Sequence, residues 1–266
     1  MSTSPRKLLS TNSELRPIGV WTWTIPALAD RLDDGRTIST CPNAGACASV
    51  CYARNGTFRF PVVKAAHRRN LARVVDDLLG WQIEMTKELE AKKFRPTGSP
   101  RHNAAPDLDA VDPWIRDWAL AGGQAVRIHD GGDFFSDEYL LAWIDIARRT
   151  PDVLFYAYTK EVTRFRLIAE DHAPENFRWI FSMGGKEDHL VDKDRERHAD
   201  VFPDEITMEL AGYSNQDPSD LWAVTLPTTR IGVPQNNISH FKKKLAGRTF
   251  AQAEDDRRNR RAKNDD

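Results

Sequence analysis

Between Ala125 and Asp188 the chain repeats one unit, an apolar run, a polar tip and then an amphipathic stretch. Few folds accept that order. Ala125-Val126-Arg127-Ile128 leads to the tip His129-Asp130-Gly131-Gly132-Asp133-Phe134-Phe135, after which Ser136 and Asp137 open a segment with Leu140, Trp143, Ile144 and Ala147 on one helical face. The run from Val153 to Tyr158 leads to Thr159-Lys160-Glu161 and a helix to about Ala169, and the run from Arg178 to Met183 leads to Gly184-Gly185-Lys186-Glu187-Asp188. Strands alternating with helices form parallel sheets in α/β domains. Right-handed crossovers then carry every tip to the face where such sheets place their sites.

Upstream, Val20 to Ile25 alternates aromatic or β-branched side chains and stops at Pro26, as a first core strand does. From Val62 to about Lys93 apolar residues recur every three or four positions, which predicts one long helix ending before the Pro- and Gly-containing loop from Phe94 to Pro100. Asp112 and Pro113 open a shorter helix closed by Gly122-Gly123. Later strand candidates are Ile206 to Leu210 and Trp222 to Leu226. Residues 1–16 read as a flexible N-terminal arm, 17–250 as a single α/β barrel-like domain and 251–266 as a charged, solvated tail.

All three cysteines fall in the loop of residues 40–53, as Cys41, Cys47 and Cys51 with spacing C-x5-C-x3-C. The 38 basic and 39 acidic residues give a formal charge of −1, which excludes a global basic field but leaves room for a local patch. No apolar run approaches the ~18 residues a membrane span needs, and the first residues lack the apolar core of a signal peptide, so a cytoplasmic location is expected. In a reducing compartment clustered thiols favour metal or redox chemistry over disulfides. Three readings stay open: a [4Fe-4S] cluster with one iron lacking a protein ligand, a zinc site completed by His67, His102 or His129, and no metal.

Other residues invite chemistry by type and place. His129 and Asp130 are candidates for an acid/base pair, although strand geometry points them apart and suits a satisfied, partly buried histidine; Lys160 for holding an anionic group or donating a proton, or as a plain surface lysine; and Gly131-Gly132-Asp133 for close backbone approach to a ligand, or for a turn capped by Asp133. Arg54, Arg59, Lys64, Arg68, Arg69 and Arg73 with Phe58 and Phe60 make a basic, aromatic stretch that could guide a phosphate-bearing substrate or nucleic acid, or simply form a solvated helix face.

The cysteine loop ending in Cys51-Tyr52-Ala53, the segment from Arg127 to Ser136 and the tip Tyr156-Ala157-Tyr158-Thr159-Lys160 together resemble the phage and actinobacterial gene product 88 family, from about residue 18 to 185. That resemblance implies a bacteriophage-type protein and carries no activity. More distantly, the order strand, three-cysteine loop, helix, strand, Gly-Gly-acidic tip, helix is similar to radical S-adenosylmethionine enzymes. This second likeness implies a partial parallel (β/α)6-type, TIM-barrel-like fold with a [4Fe-4S] cluster on Cys41, Cys47 and Cys51. It places Tyr52 beside the cluster, S-adenosylmethionine on the open iron, its amino group at Gly131, Gly132 and Asp133, and Ser182 near its ribose or carboxylate. An external electron donor and an unknown substrate follow. That class usually shows C-x3-C-x2-C and a glutamate, where this chain has longer intervals and an aspartate. The contrasting expectation is a non-enzymatic module, stabilised by iron-sulfur or zinc, that binds a host protein or nucleic acid.

Overall fold

The computed structural model describes residues 7–235 and 237–265. In chain order the elements are β1 (Val20–Trp23), β2 (Ala29–Arg31), β3 (Thr37–Ser39), α1 (Pro61–Asp76), α2 (Leu78–Leu89), α3 (Pro113–Leu120), β4 (Gln124–Ile128), α4 (Asp137–Arg149) and β5 (Val153–Thr159). There follow α5 (Val162–His172), β6 (Phe177–Ser182), β7 (His198–Phe202), α6 (Glu205–Leu210), β8 (Ser214–Asn215), α7 (Trp222–Thr225), β9 (Arg230–Pro234), α8 (Ser239–Leu245) and α9 (Phe250–Asp265).

Seven strands form one sheet in the order β1-β4-β5-β6-β7-β9-β8, every neighbouring pair parallel. The register sets Trp23 beside Ile128, Ile128 beside Ala157, Thr159 beside Phe181 and Ser182 beside Ala199, so the tips after β1, β4, β5 and β6 share one edge. Among the described residues nothing joins β1 to β8, so this is an open α/β sheet and not a closed barrel.

Alternation divides the strands between two cores. Trp23, Val126, Ile128, Phe155 and Phe181 pack against α1, α2, α4 and α5, where Trp23, Trp81 and Trp143 meet with ring centroids 5.1–6.4 Å apart. Val20, Ala125, Leu154, Tyr156, Ile180 and Ile231 face the other way, towards α3 and α7. Asp112 caps α3 by accepting from the Ile115 amide, with Pro113 at the first helical position, as read from the sequence.

Four expectations need correction. The long helix is two, because Asp77 leaves helical geometry and caps α2 by accepting from the Gly80 amide at 2.8 Å. Ile206 to Leu210 and Trp222 to Leu226 are helical, the first capped by Asp204 through the Thr207 amide, the second with Thr225 donating to the carbonyls of Ala104 and Leu221. The strands in this half are instead β7, β8 and β9, whose His198, Asp200, Arg230 and Pro234 hide the apolar signal. Finally, the charged C-terminal stretch is helical, and its start is docked: Ala251, Ala253 and Glu254 are buried, whereas residues 258–263 are exposed. Of the N-terminal arm, Ser10 pairs with Thr22 beside β1, and Leu9 is buried in the core. Residues 1–6 lie outside the described residues.

Candidate functional site

The cysteine loop is threaded over the strand tips and tied to them by its backbone. At its start the Thr40 hydroxyl donates to the Pro26 carbonyl at 2.6 Å, and the Leu28 amide donates to Cys41 Sγ at 3.3 Å. Beyond Cys41, the Asn43 amide and side chain both donate to the Glu161 carboxylate at 3.1 Å, and the amides of Gly45 and Cys47 donate to the Gly184 carbonyl at 3.1 Å. Lys186 returns two bonds, its amide to the Asn43 carbonyl at 2.9 Å and its ammonium to the Pro42 carbonyl at 2.6 Å. Glu254 of α9 accepts from the Ala46 amide at 2.6 Å. The loop backbone is therefore fixed by the tips after β5 and β6 and by the C-terminal helix.

Glycine permits this closeness. Gly184 sits at φ +92, and a Cβ there would stand 3.3 Å from Cys47 Cβ and 3.1 Å from the Phe250 ring. A Cβ on Gly45 would lie 2.3 Å from the Glu254 carboxylate. Asp188 completes the tip by accepting from the amides of Gly184 and Gly185 at 2.6 and 2.8 Å.

The three thiols are half-buried and form no disulfide. Burial pushes Cys41 up to about 12, with the charges of Asp133, Cys47 and Cys51 adding to the rise. Burial also raises Cys47 and Cys51, and the Lys160 ammonium opposes the rise at both. Gly184 packs on Cys47 and Gly185 on Lys160, while Asp188 holds both glycine amides and Asp133 holds the Lys160 amide, so these groups gather at one place. Among the described residues no three histidine, cysteine, aspartate or glutamate side chains are grouped so as to hold a metal ion. Of the histidines considered as a fourth zinc ligand, His102 is exposed in the loop before α3, His129 is in the core, and His67 packs on Phe58.

Lys160 lies at the site. Its ammonium donates to the Ser182 carbonyl and hydroxyl at 2.9 and 2.8 Å and to the Met183 carbonyl at 3.1 Å, which brings Lys160 and Ser182 together as expected. Asp133 is there too, but enclosed. Its carboxylate accepts from the Thr159 hydroxyl at 2.7 Å and from the amides of Lys160 and Phe134 at 2.9 and 2.8 Å, so it clasps the β4 tip to the β5 tip. Burial raises its pKa while these donors pull it back. Gly132 is needed for φ +87 and because a Cβ would meet Ile25 at 2.2 Å, and Gly131 packs on Ala53. Both glycines are thus accounted for by packing.

His129 and Asp130 do not form a pair. His129 turns to the helical core at φ +71, where Nε2 lies 2.9 Å from the Tyr139 hydroxyl and the ring meets Phe134 edge-on. Burial lowers its pKa to about 3, which suits a neutral core imidazole. Asp130 faces the opposite side, with Arg127 Nε at 3.4 Å from its carboxylate and the Tyr52 hydroxyl donating to its carbonyl at 2.5 Å. Arg127 continues a network unread in the sequence: it pairs with Asp220 at 2.9 Å, Asp220 accepts from Tyr156, and the Arg127 guanidinium lies over the Tyr158 ring. Glu161, Asp188 and Glu254 were equally unread as supports of the loop. For Glu161 and Asp188 the signal was their place in strand tips, while Glu254 carried none in its charged surroundings.

The basic stretch divides. Arg68 is bound by Asp30 through two bonds of 2.9–3.0 Å, Arg73 pairs with Glu84, and Arg69 is exposed. Arg54, Arg59 and Lys64 instead line a cleft of about 530 Å³ that also reaches Cys51, Phe58 and His240.

With the loop and its supports in place, comparison with known proteins adds a family. Residues 2–263 match the family model described as Gene product 88. The Gene 88 protein of Mycobacterium phage L5 is 31% identical over 125 residues, covering 47% of this chain and 44% of that protein. The Gene 88 protein of Mycobacterium phage D29 is 30% identical over the same length and shares. The aligned part thus spans less than half of either relative. No solved structure matches. Among the described residues no helix is long and apolar enough to cross a membrane. The match over nearly the whole length identifies the chain as a member of the Gene product 88 family.

Proposed function

We propose that the loop holds a [4Fe-4S] cluster through Cys41, Cys47 and Cys51, and that the protein acts as a radical S-adenosylmethionine-type enzyme on a substrate yet to be identified. One observation carries this reading: the three thiols share one loop whose backbone is clamped across the tips of successive parallel strands, beside Lys160 and Ser182. The donor set fits in number and kind, since three thiolates complete a cubane except at one iron. The neighbour order β1-β4-β5-β6-β7 follows the chain, as in a partial (β/α)6 barrel, which supports the finer reading of the fold.

When bound, such a cluster supplies one-electron chemistry at its open iron, the role S-adenosylmethionine and an external electron donor complete in the radical class. The chain's own part is to fix the ligands and the charge around them. Lys160, held by Ser182 and Met183, puts a cation beside Cys47 and Cys51. Tyr52 anchors the end of the loop to the β4 tip. Asp133 already accepts from three donors and is 5% exposed, so its part is to set the β4 and β5 tips, and the amino-group role drawn from the resemblance does not fit it. His129 is likewise left out of the chemistry.

Anaerobic reconstitution with iron and sulfide, followed by S-adenosylmethionine and a strong reductant, tests the enzymatic reading. Formation of 5′-deoxyadenosine supports it. A reconstituted cluster that neither cleaves S-adenosylmethionine nor changes its spectrum on adding it would leave a cluster protein of the non-enzymatic kind.

A further inference from the structure

We propose that the cleft beside Cys51 binds a phosphate-bearing nucleotide unit, either a free nucleotide or one residue of a single strand. At about 530 Å³ the cleft has the volume of a small-ligand site. Arg54 and Arg59 come from the short turns after the cysteine loop and Lys64 from α1, so no single helix face explains their convergence. Among the described residues none of the three is paired with a carboxylate, whereas other arginines nearby, such as Arg68 and Arg73, are. The one acidic residue in the lining, Asp30, is already engaged by Arg68. Three uncompensated cations in a chain of net charge −1 make a local field that selects for phosphate. Phe58 adds an aromatic surface, held edge-on against Tyr52 at 5.8 Å and tilted on His67 at 5.7 Å, where a base can stack. Arg69 and Arg73, exposed and ion-paired respectively, fit the plain solvated-face explanation and are not part of the site. The cleft is formed by the chain itself, so this inference holds with or without the cluster.

The test uses the full chain and a fluorescein-labelled twelve-nucleotide single-stranded DNA, read by anisotropy, with AMP and inorganic phosphate as competitors. One seated nucleotide brings one or two phosphates to these cations, which predicts a log-log salt slope of about −1, or roughly 4-fold weaker binding between 50 and 200 mM salt. Arg54→Ala, Arg59→Ala and Lys64→Ala combined should weaken binding by about that factor at low salt and flatten the slope, while Arg69→Ala should leave it unaltered. If the triple variant does not fold, Lys64→Glu alone, at an exposed helical position, must still weaken binding severalfold. AMP displacing the DNA identifies a free nucleotide as sufficient, and DNA binding that resists AMP identifies the strand. Failure of both to bind, binding indifferent to the triple variant, or inorganic phosphate competing as well as AMP would each overturn the proposal.

Discussion

Glu254, on the first turns of the C-terminal helix, accepts a hydrogen bond from the backbone amide of Ala46 at 2.6 Å, so residues separated by 208 positions jointly set the cysteine loop. The carboxylate is fully buried and is also held by Arg257 Nε at 2.7 Å. Glu254→Ala strips the partner from both a loop amide and a partly buried guanidinium, and should cost about 2–3 kcal/mol in urea unfolding. Arg260→Ala and Arg261→Ala, on the exposed part of the same helix, should stay within about 0.5 kcal/mol.

Gly184 tests the close approach of loop and strand tip. Alanine there must adopt φ +92 and push against Phe250 and Cys47, which together should cost about 1–3 kcal/mol. The iron retained after reconstitution should fall alongside the thermal midpoint, because the loop carrying Cys47 is displaced.

Asp188 gives the fold an inverted pH dependence. Burial pushes its pKa up to about 6, against an ordinary value of 3.8, so the folded chain holds this proton more tightly than the unfolded chain. The resulting stabilisation is complete below about pH 4 and is lost as pH rises through about 6, amounting to about 3 kcal/mol over that window. Urea unfolding of the metal-free chain from pH 4 to 7 should show wild type losing stability relative to Asp188→Asn by that order. A difference that stays flat with pH would remove the account of this tip.

His129 should prove structural. Replacing it with alanine empties a site packed by Phe134 and Tyr139, at a positive φ that alanine tolerates poorly, and should cost about 2–4 kcal/mol. Iron content per folded molecule should not change. Asn at the same position, which accepts positive φ more readily, should recover part of the loss.

The first half of the sheet was legible because β1, β4, β5 and β6 carry largely apolar runs that end at a proline or at a polar tip, and a parallel sheet buries such runs on both faces. β7 escaped because His198 and Asp200 are buried by specific partners, the Tyr213 hydroxyl and the Ala251 amide, which no periodicity encodes, and β9 because Arg230, Gly232 and Pro234 interrupt its apolar signal. Trp222 to Leu226 reads as a strand by composition alone, and a contact between Thr225 and Ala104 helps hold it as one helical turn. At the site, the gathering of the cysteine loop, Lys160 and Ser182 followed from strand order. The assignment of Gly131, Gly132 and Asp133 to a ligand did not, because Ile25 and Thr159, remote in sequence, already take up the space and the hydrogen bonds. Glu254 was invisible for a related reason: a lone buried carboxylate in a run of charges looks like its solvated neighbours.

The central claim is that Cys41, Cys47 and Cys51 together ligate one cubane. Iron and acid-labile sulfide should be measured on anaerobically reconstituted protein, beside a variant with all three cysteines changed to alanine. The account predicts about four iron and four sulfide per chain in the wild type and neither in the variant. Zinc in place of iron, or iron and sulfide that persist without the three thiols, would contradict it.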